Sequence, residues 1–158
     1  MIELVIRKAV REESSDIYGF IKDLAVFEKL EDRVVTTTSM IEKSIFDNNY
    51  AEVLFLEVEG KKIGFCLYFY TFSTFEGKPS LYLEDLFVVE ESRNKGYGQK
   101  TLMYLANQAI QNGCARFEWS CLNWNKNAID FYKKFGATPQ NEWTLFRLEG
   151  ENLVSYRK

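Results

Sequence analysis

The 158-residue chain contains no histidine, so proton transfer near neutral pH falls to Asp, Glu, Tyr, Lys, Cys, a terminus or water. That absence removes any Ser-His-Asp or Cys-His pair and any His-ligated zinc. Chemistry-bearing residues concentrate in one stretch. Tyr82-Leu83-Glu84-Asp85-Leu86-Phe87-Val88-Val89 sets two adjacent carboxylates inside an apolar, strand-like run. Strict alternation along a strand points Glu84 and Asp85 to opposite faces. The loop Arg93-Asn94-Lys95-Gly96-Tyr97-Gly98-Gln99-Lys100 follows. Its two glycines let main chain approach a ligand closely, and the helix it opens offers unpaired N–H groups and a positive dipole end. With Arg93, Lys95 and Lys100 nearby, that chemistry suits phosphate. A glycine pair by itself reads first as an ordinary strand-to-helix turn. Two nucleotide patterns fail: the third glycine of a dinucleotide fingerprint would fall on Thr101, and no Gly-Lys-Ser/Thr occurs.

Several elements must position these residues. Leu4 to Arg7 alternate as a first strand, and Ser14 or Ser15 can cap a helix whose stripe is Ile17, Phe20, Ile21, Leu24 and Ala25. Thr38 or Ser39 can cap a shorter helix with Met40, Ile41, Ile45 and Phe46. Strands over 52–58 and 62–70 join through Glu59-Gly60-Lys61 as a hairpin. Apolar residues on both faces make the second strand central. Gly77-Lys78-Pro79-Ser80 breaks the chain before a strand over 81–89. A third helix carries Leu102, Leu105, Ala106, Ala109 and Ile110 and stops at Asn112-Gly113. A strand over 116–122 precedes a helix over 126–135 closed by Gly136. Two last strands are predicted near Trp143–Leu148 and Leu153–Tyr156. The alternation of strands and helices predicts one α/β domain, residues 1–158, around a mixed sheet.

Composition bounds the function. Twenty basic and 23 acidic residues leave a net charge of −3, which disfavours a nucleic-acid partner and suits a cationic one. Cys66, Cys114 and Cys121 form no C-x-x-C pair, as expected of a reducing compartment. The alternating, charged N-terminus lacks a signal-peptide core, and no apolar run approaches the roughly 18 residues that span a bilayer. The expectation is a soluble cytoplasmic protein with no membrane partner.

Arg93-x-x-Gly96-x-Gly98, after Leu86-Phe87-Val88-Val89, resembles the acyl-CoA signature of the GNAT N-acetyltransferases. Leu24-Ala25-Val26-Phe27-Glu28, Tyr82-Leu83-Glu84-Asp85-Leu86-Phe87-Val88 and the segment from Trp124 to Ala137 narrow the resemblance to the spermidine/spermine (diamine) acetyltransferase subfamily. The likeness runs in order over nearly the whole chain. It implies a mostly antiparallel mixed sheet flanked by about four helices, and a homodimer. It also implies acetyl-CoA as cosubstrate, with pantetheine paired to the backbone of Leu86, Phe87 and Val88. The pyrophosphate would rest on the amides of Asn94, Lys95, Gly96, Tyr97, Gly98 and Gln99, with Arg93 and Lys100 nearby. Asn125 and Ala128 would line the cofactor's far side, and Tyr132 would stand beside the thioester sulfur. No metal is called for.

The chemistry fits such residues. An alkylamine with pKa near 10.4 must lose a proton before it attacks a thioester, and a carboxylate can take that proton directly or through water. Glu84 is the candidate base, Tyr132 the candidate acid for the departing thiolate. Both also have plain structural readings, as a solvated strand carboxylate and a core tyrosine. Glu28 can hold the distal charge of a diamine, with Phe27 packed on its methylenes or cation. Phe27 stands where the family commonly carries Tyr. Asp85, Trp119 and Ser120 complete the expected substrate side. The expected reaction is acetyl transfer to a primary amine of a di- or polyamine, or of a lysine-like amino acid, by direct attack in a ternary complex. A protein N-acetyltransferase and a silent CoA-binding module are the alternatives.

Overall fold

The computed structural model describes residues 2–158. The chain forms two compact units, Met1–Ser120 and Cys121–Lys158. In the first, β1 (Leu4–Lys8), β2 (Glu52–Val58), β3 (Lys61–Ser73), β4 (Lys78–Val88) and β5 (Arg116–Trp119) form one sheet in sequence order. The first three pairings are antiparallel and β4–β5 is parallel. The parallel step requires a crossover, which α3 (Tyr97–Gln111) supplies. Helices α1 (Ser14–Glu28) and α2 (Thr38–Glu42) intervene between β1 and β2.

Apolar periodicity determines where α1 lies. Ile17 is fully buried against Phe55, Phe65 and Phe87, with Phe20, Ile21 and Leu24 packed around them. Phe20 stacks on Phe65 with ring centroids 5.7 Å apart. Charge fixes the start of the helix. Glu13 accepts from Arg7 at 2.7 Å and from Lys62 at 2.8 Å, Arg7 also reaches Glu57, and both cations lie over the Phe55 ring. Neither Ser14 nor Ser15 is the cap: Ser14 is the first helical residue and its hydroxyl donates to the Arg11 carbonyl. Likewise Thr37, rather than Thr38 or Ser39, caps α2 by accepting from the Met40 amide.

β3 and β4 approach so closely at one point that only glycine fits. A Cβ on Gly64 would collide with the Phe87 carbonyl, since Gly64 pairs with Val88 across the ladder. Gly64→Ala is therefore expected to force β4 aside, at a cost of about 1–3 kcal/mol. Thermal unfolding checks this; a domain of this size should melt several degrees lower, and an unchanged midpoint would contradict the close approach.

The second unit holds α4 (Lys126–Phe135), closed as the sequence predicts by Gly136, at φ 107°; its start is capped by Asn125. The two predicted final strands do not form. Residues 143–148 take no regular structure, and Glu151–Val154 is one helical turn, α5. Trp143, Leu145 and Phe146 have the apolar content of a strand, yet they are 77%, 85% and 88% exposed. An isolated two-stranded ribbon without a further surface is marginal in water, so apolar content here does not suffice.

Candidate active site

The site begins where β4 and β5 part. Their pairing runs from Ser80↔Arg116 to Leu83↔Trp119 and ends there, while β4 continues to Val88. The β4 backbone from Glu84 onward thus has a β3 partner on one edge and none from β5 on the other. Phe87 and Leu86 send their side chains into the core, on opposite faces, so what this stretch offers a ligand is main chain.

The β4 register carries the main departure from the sequence reading. Leu67 pairs with Asp85 but Tyr68 pairs with Leu83, which leaves Glu84 as an extra residue, a β-bulge. The bulge shifts the phase of the strand. Before it, Leu81 and Leu83 share a face with Tyr68; beyond it, Asp85 and Phe87 share the opposite face with Leu67 and Phe65. The expectation from unbroken alternation is corrected: Asp85 is carried to the α1 face, toward the helix that ends at Glu28.

Electrostatics reflect the meeting of these groups. Burial, then repulsion from Glu84 and Glu28, pushes the Asp85 carboxyl up to about 7. Burial, then Glu84, also raises Glu28. Glu84 itself is exposed. Phe27 is 43% exposed, but its ring is already covered by a cation of the chain, the Arg93 guanidinium, 4.6 Å from its centroid. On the sheet side, Trp119 is half-buried with Phe117 at 4.8 Å, and the exposed Ser120 hydroxyl lies 3.0 Å from that of Tyr82. The sequence did not single out Tyr82, whose contact with Ser120, just past the end of β5, has no local signal.

The loop matches a phosphate cradle in its backbone more than in its side chains. Asn94 and Gly96 adopt left-handed φ of 63° and 82°, which turns the chain into α3 with no side chain capping its first amides. A Cβ on Gly98 would meet nothing within 4 Å, so space stands open over that first turn. An uncapped 15-residue helix facing open space fits a pyrophosphate. Asn94, Lys95 and Gln99 are exposed, whereas the Tyr97 side chain is buried beside Leu56 and Ile63, leaving only its main chain for a ligand. Lys100 lines a cleft with Leu4, Ile6 and Met103. Arg93 donates from Nε to the Val88 carbonyl at 2.7 Å.

In the second unit, Asn125 Oδ1 accepts from the Ala128 amide at 3.3 Å, so these two residues, expected beside the cofactor, close the start of α4. Tyr132 is half-buried one helical turn before the end of α4, edge-on to Phe131. Burial and then Cys121 raise its pKa, which keeps the phenol protonated at neutral pH.

A mixed sheet whose β4–β5 pairing ends beside a bulge, followed by a glycine loop and an uncapped helix, is the frame of the candidate site. The acetyltransferase (GNAT) family pattern matches residues 8–137, and the chain belongs to that family of acetyltransferases. It is 36% identical over 165 residues to the thialysine N-epsilon-acetyltransferase of Sus scrofa, an alignment covering 97% of this chain and 96% of the relative. It is 42% identical over 95 residues to the L-ornithine N5-acetyltransferase of Arabidopsis thaliana, covering 60% and 42%. Among solved structures, an integron cassette protein from the mobile metagenome of V. cholerae superimposes with a TM-score of 0.81 at 25% identity, covering 96% of both chains. Among the described residues, no group of side chains is arranged to hold a metal and no helix is long and apolar enough to cross a membrane.

Proposed function

We propose that the two units act together as one catalytic domain that acetylates a primary amine of a small molecule carrying a second positive charge. Lysine-like amino acids and diamines or polyamines such as spermidine form that class. The observation that carries the reading is the carboxylate trio Glu28, Glu84 and Asp85, gathered by the β4 bulge where the strand edge lies open. The side-chain amines acetylated by the thialysine and ornithine enzymes support the same class.

Acetyl-CoA supplies the activated acetyl group as a thioester. The backbone of Leu86 to Val88 and the loop from Asn94 to Gln99 hold and orient that cosubstrate. Glu28 and Asp85 bind the cationic amine, and exposed Glu84 takes the ammonium proton directly or through water. As the new N–C bond forms and the C–S bond breaks, the Tyr132 O–H stabilises the sulfur and donates its proton. No Cys or Ser stands in the motif positions as an acyl carrier, so attack is direct. Free cysteines support a reducing, cytoplasmic setting. The exposed Trp143, Leu145 and Phe146 support a homodimer, to be measured by sedimentation.

An amine panel with acetyl-CoA, followed by thiol release, tests the substrate class. Dications are expected to exceed monoamines of equal length by about tenfold or more in kcat/KM, as one lost charged contact predicts. Equal use of both would remove the trio from the amine site. Gly98→Val tests the cradle: its side chain enters open space in the free protein, so the fold is kept while acetyl-CoA is excluded. Undiminished binding in calorimetry would reject the loop as the phosphate site.

A further inference from the structure

The first residue of the glycine loop is turned toward the amine side. The Val89 amide donates to Ile63 on β3 at 2.9 Å, so across the same trans peptide the Val88 carbonyl points away from β3. Arg93 Nε donates to that carbonyl at 2.7 Å, which tethers the guanidinium beside β4. One aromatic contact comes from β4: the Phe87 centroid lies 5.3 Å from Cζ. The other comes from the last turn of α1: the Phe27 centroid lies 4.6 Å away. Phe27 immediately precedes Glu28. Among the described residues no carboxylate forms an ion pair with Arg93, which instead meets two rings and one carbonyl. A guanidinium is suited to this because it stacks flat on a ring while donating in its own plane, which an ammonium cannot do.

We propose that Arg93 is a positioning residue that links the acetyl-donor segment of β4 to the amine-binding end of α1, holding Phe27 and Glu28 in register through its stacked guanidinium. The inference rests on the proposed roles of those two segments. Its consequence is thermodynamic coupling: a cosubstrate that orders Val88 and the loop also orders the end of α1, and the amine then binds a prepared site.

The test compares Arg93→Lys, Phe27→Leu and the double variant with the parent enzyme. Two readouts are used: hydrogen exchange of the amides of residues 24–28 with and without acetyl-CoA, and amine KM against kcat. In the parent, acetyl-CoA is expected to slow exchange at the end of α1. Arg93→Lys, which retains the charge, should abolish that protection and raise amine KM about 5–30-fold, the loss of one partly buried cation–ring contact. Its effect on acetyl-CoA affinity in the binary complex should be smaller than its effect on amine KM. The double variant should be no worse than the poorer single one, since both remove one contact. If Arg93→Lys weakens acetyl-CoA binding while exchange and amine KM match the parent, Arg93 is a phosphate ligand and the inference falls. Additive effects of the two substitutions would also overturn it. Should no amine of the panel be acetylated while the exchange protection is present in the parent and lost in Arg93→Lys, the link stands and the substrate class fails.

Discussion

Replacing Tyr132 by Phe is expected to lower kcat by about 10²–10⁴-fold, the usual worth of a positioned general acid. The size follows from what the leaving group needs. A free thiol has a pKa near 8.5, so its thiolate departs with modest help, and the proton donor contributes less than for a poor leaving group. Burial and then Cys121 hold the Tyr132 phenol above its ordinary range, so the O–H is present throughout the working range. The alkaline limb of the rate profile should therefore not move when the hydroxyl is deleted, although the plateau falls. Phe retains the ring and its edge-on contact with Phe131, which keeps the midpoint of thermal unfolding nearly unchanged and acetyl-CoA affinity intact. Parent-like turnover of Tyr132→Phe over a range of amines would give the proton to water and return the ring to packing.

The sequence reveals the elements around the site unequally, for physical reasons. The bounds of α4 are legible because Asn125 and Gly136 act locally, one accepting from Ala128 and the other adopting a φ closed to most side chains. The β2–β3 hairpin is legible for the same reason: Gly60 in a tight turn between two apolar runs. The bulge at Glu84 is not. It is a mismatch between two strands, and nothing in β4 alone distinguishes an extra residue from a regular one. Its trace is the sudden pair of polar residues, Glu84-Asp85, after the alternating Leu81 and Leu83. Arg93 is a similar case: its spacing fits a phosphate loop, but Phe27 lies 66 positions earlier in the chain and meets it only once α1 is packed. The failed strands at 143–156 mark the converse limit, since apolar content reports a capacity to pair and not a partner.

Asp85→Asn should expose the opposition between function and stability at this site. The carboxyl is pushed to about 7, first by burial and then by Glu84 and Glu28, whereas in the unfolded chain it ionises near its ordinary 3.9. A raised carboxylate pKa means the folded state holds its proton longer, so its cost to folding is absent below about pH 4, grows between 4 and 7, and is complete above. Asparagine never charges. The variant should match the parent in thermal unfolding near pH 4 and melt higher above pH 7, by an increment on the order of 2–4 kcal/mol if the site relaxes little. Glu13 runs in the opposite sense. Arg7, then Lys62 and the Val10 amide, hold it well below the carboxylate range against the penalty of burial, so acid weakens parent and variant alike and leaves the difference between them to Asp85. Catalysis pulls the other way: the same buried charge is what a dication would neutralise, so Asp85→Asn should raise KM for a lysine-like amine or diamine about 10–100-fold, as loss of one charged hydrogen bond predicts. A melting difference equal at pH 4 and pH 8 would show that Asp85 does not titrate between them. A variant that gains stability with unchanged KM would keep the strained carboxylate but take it out of the amine site.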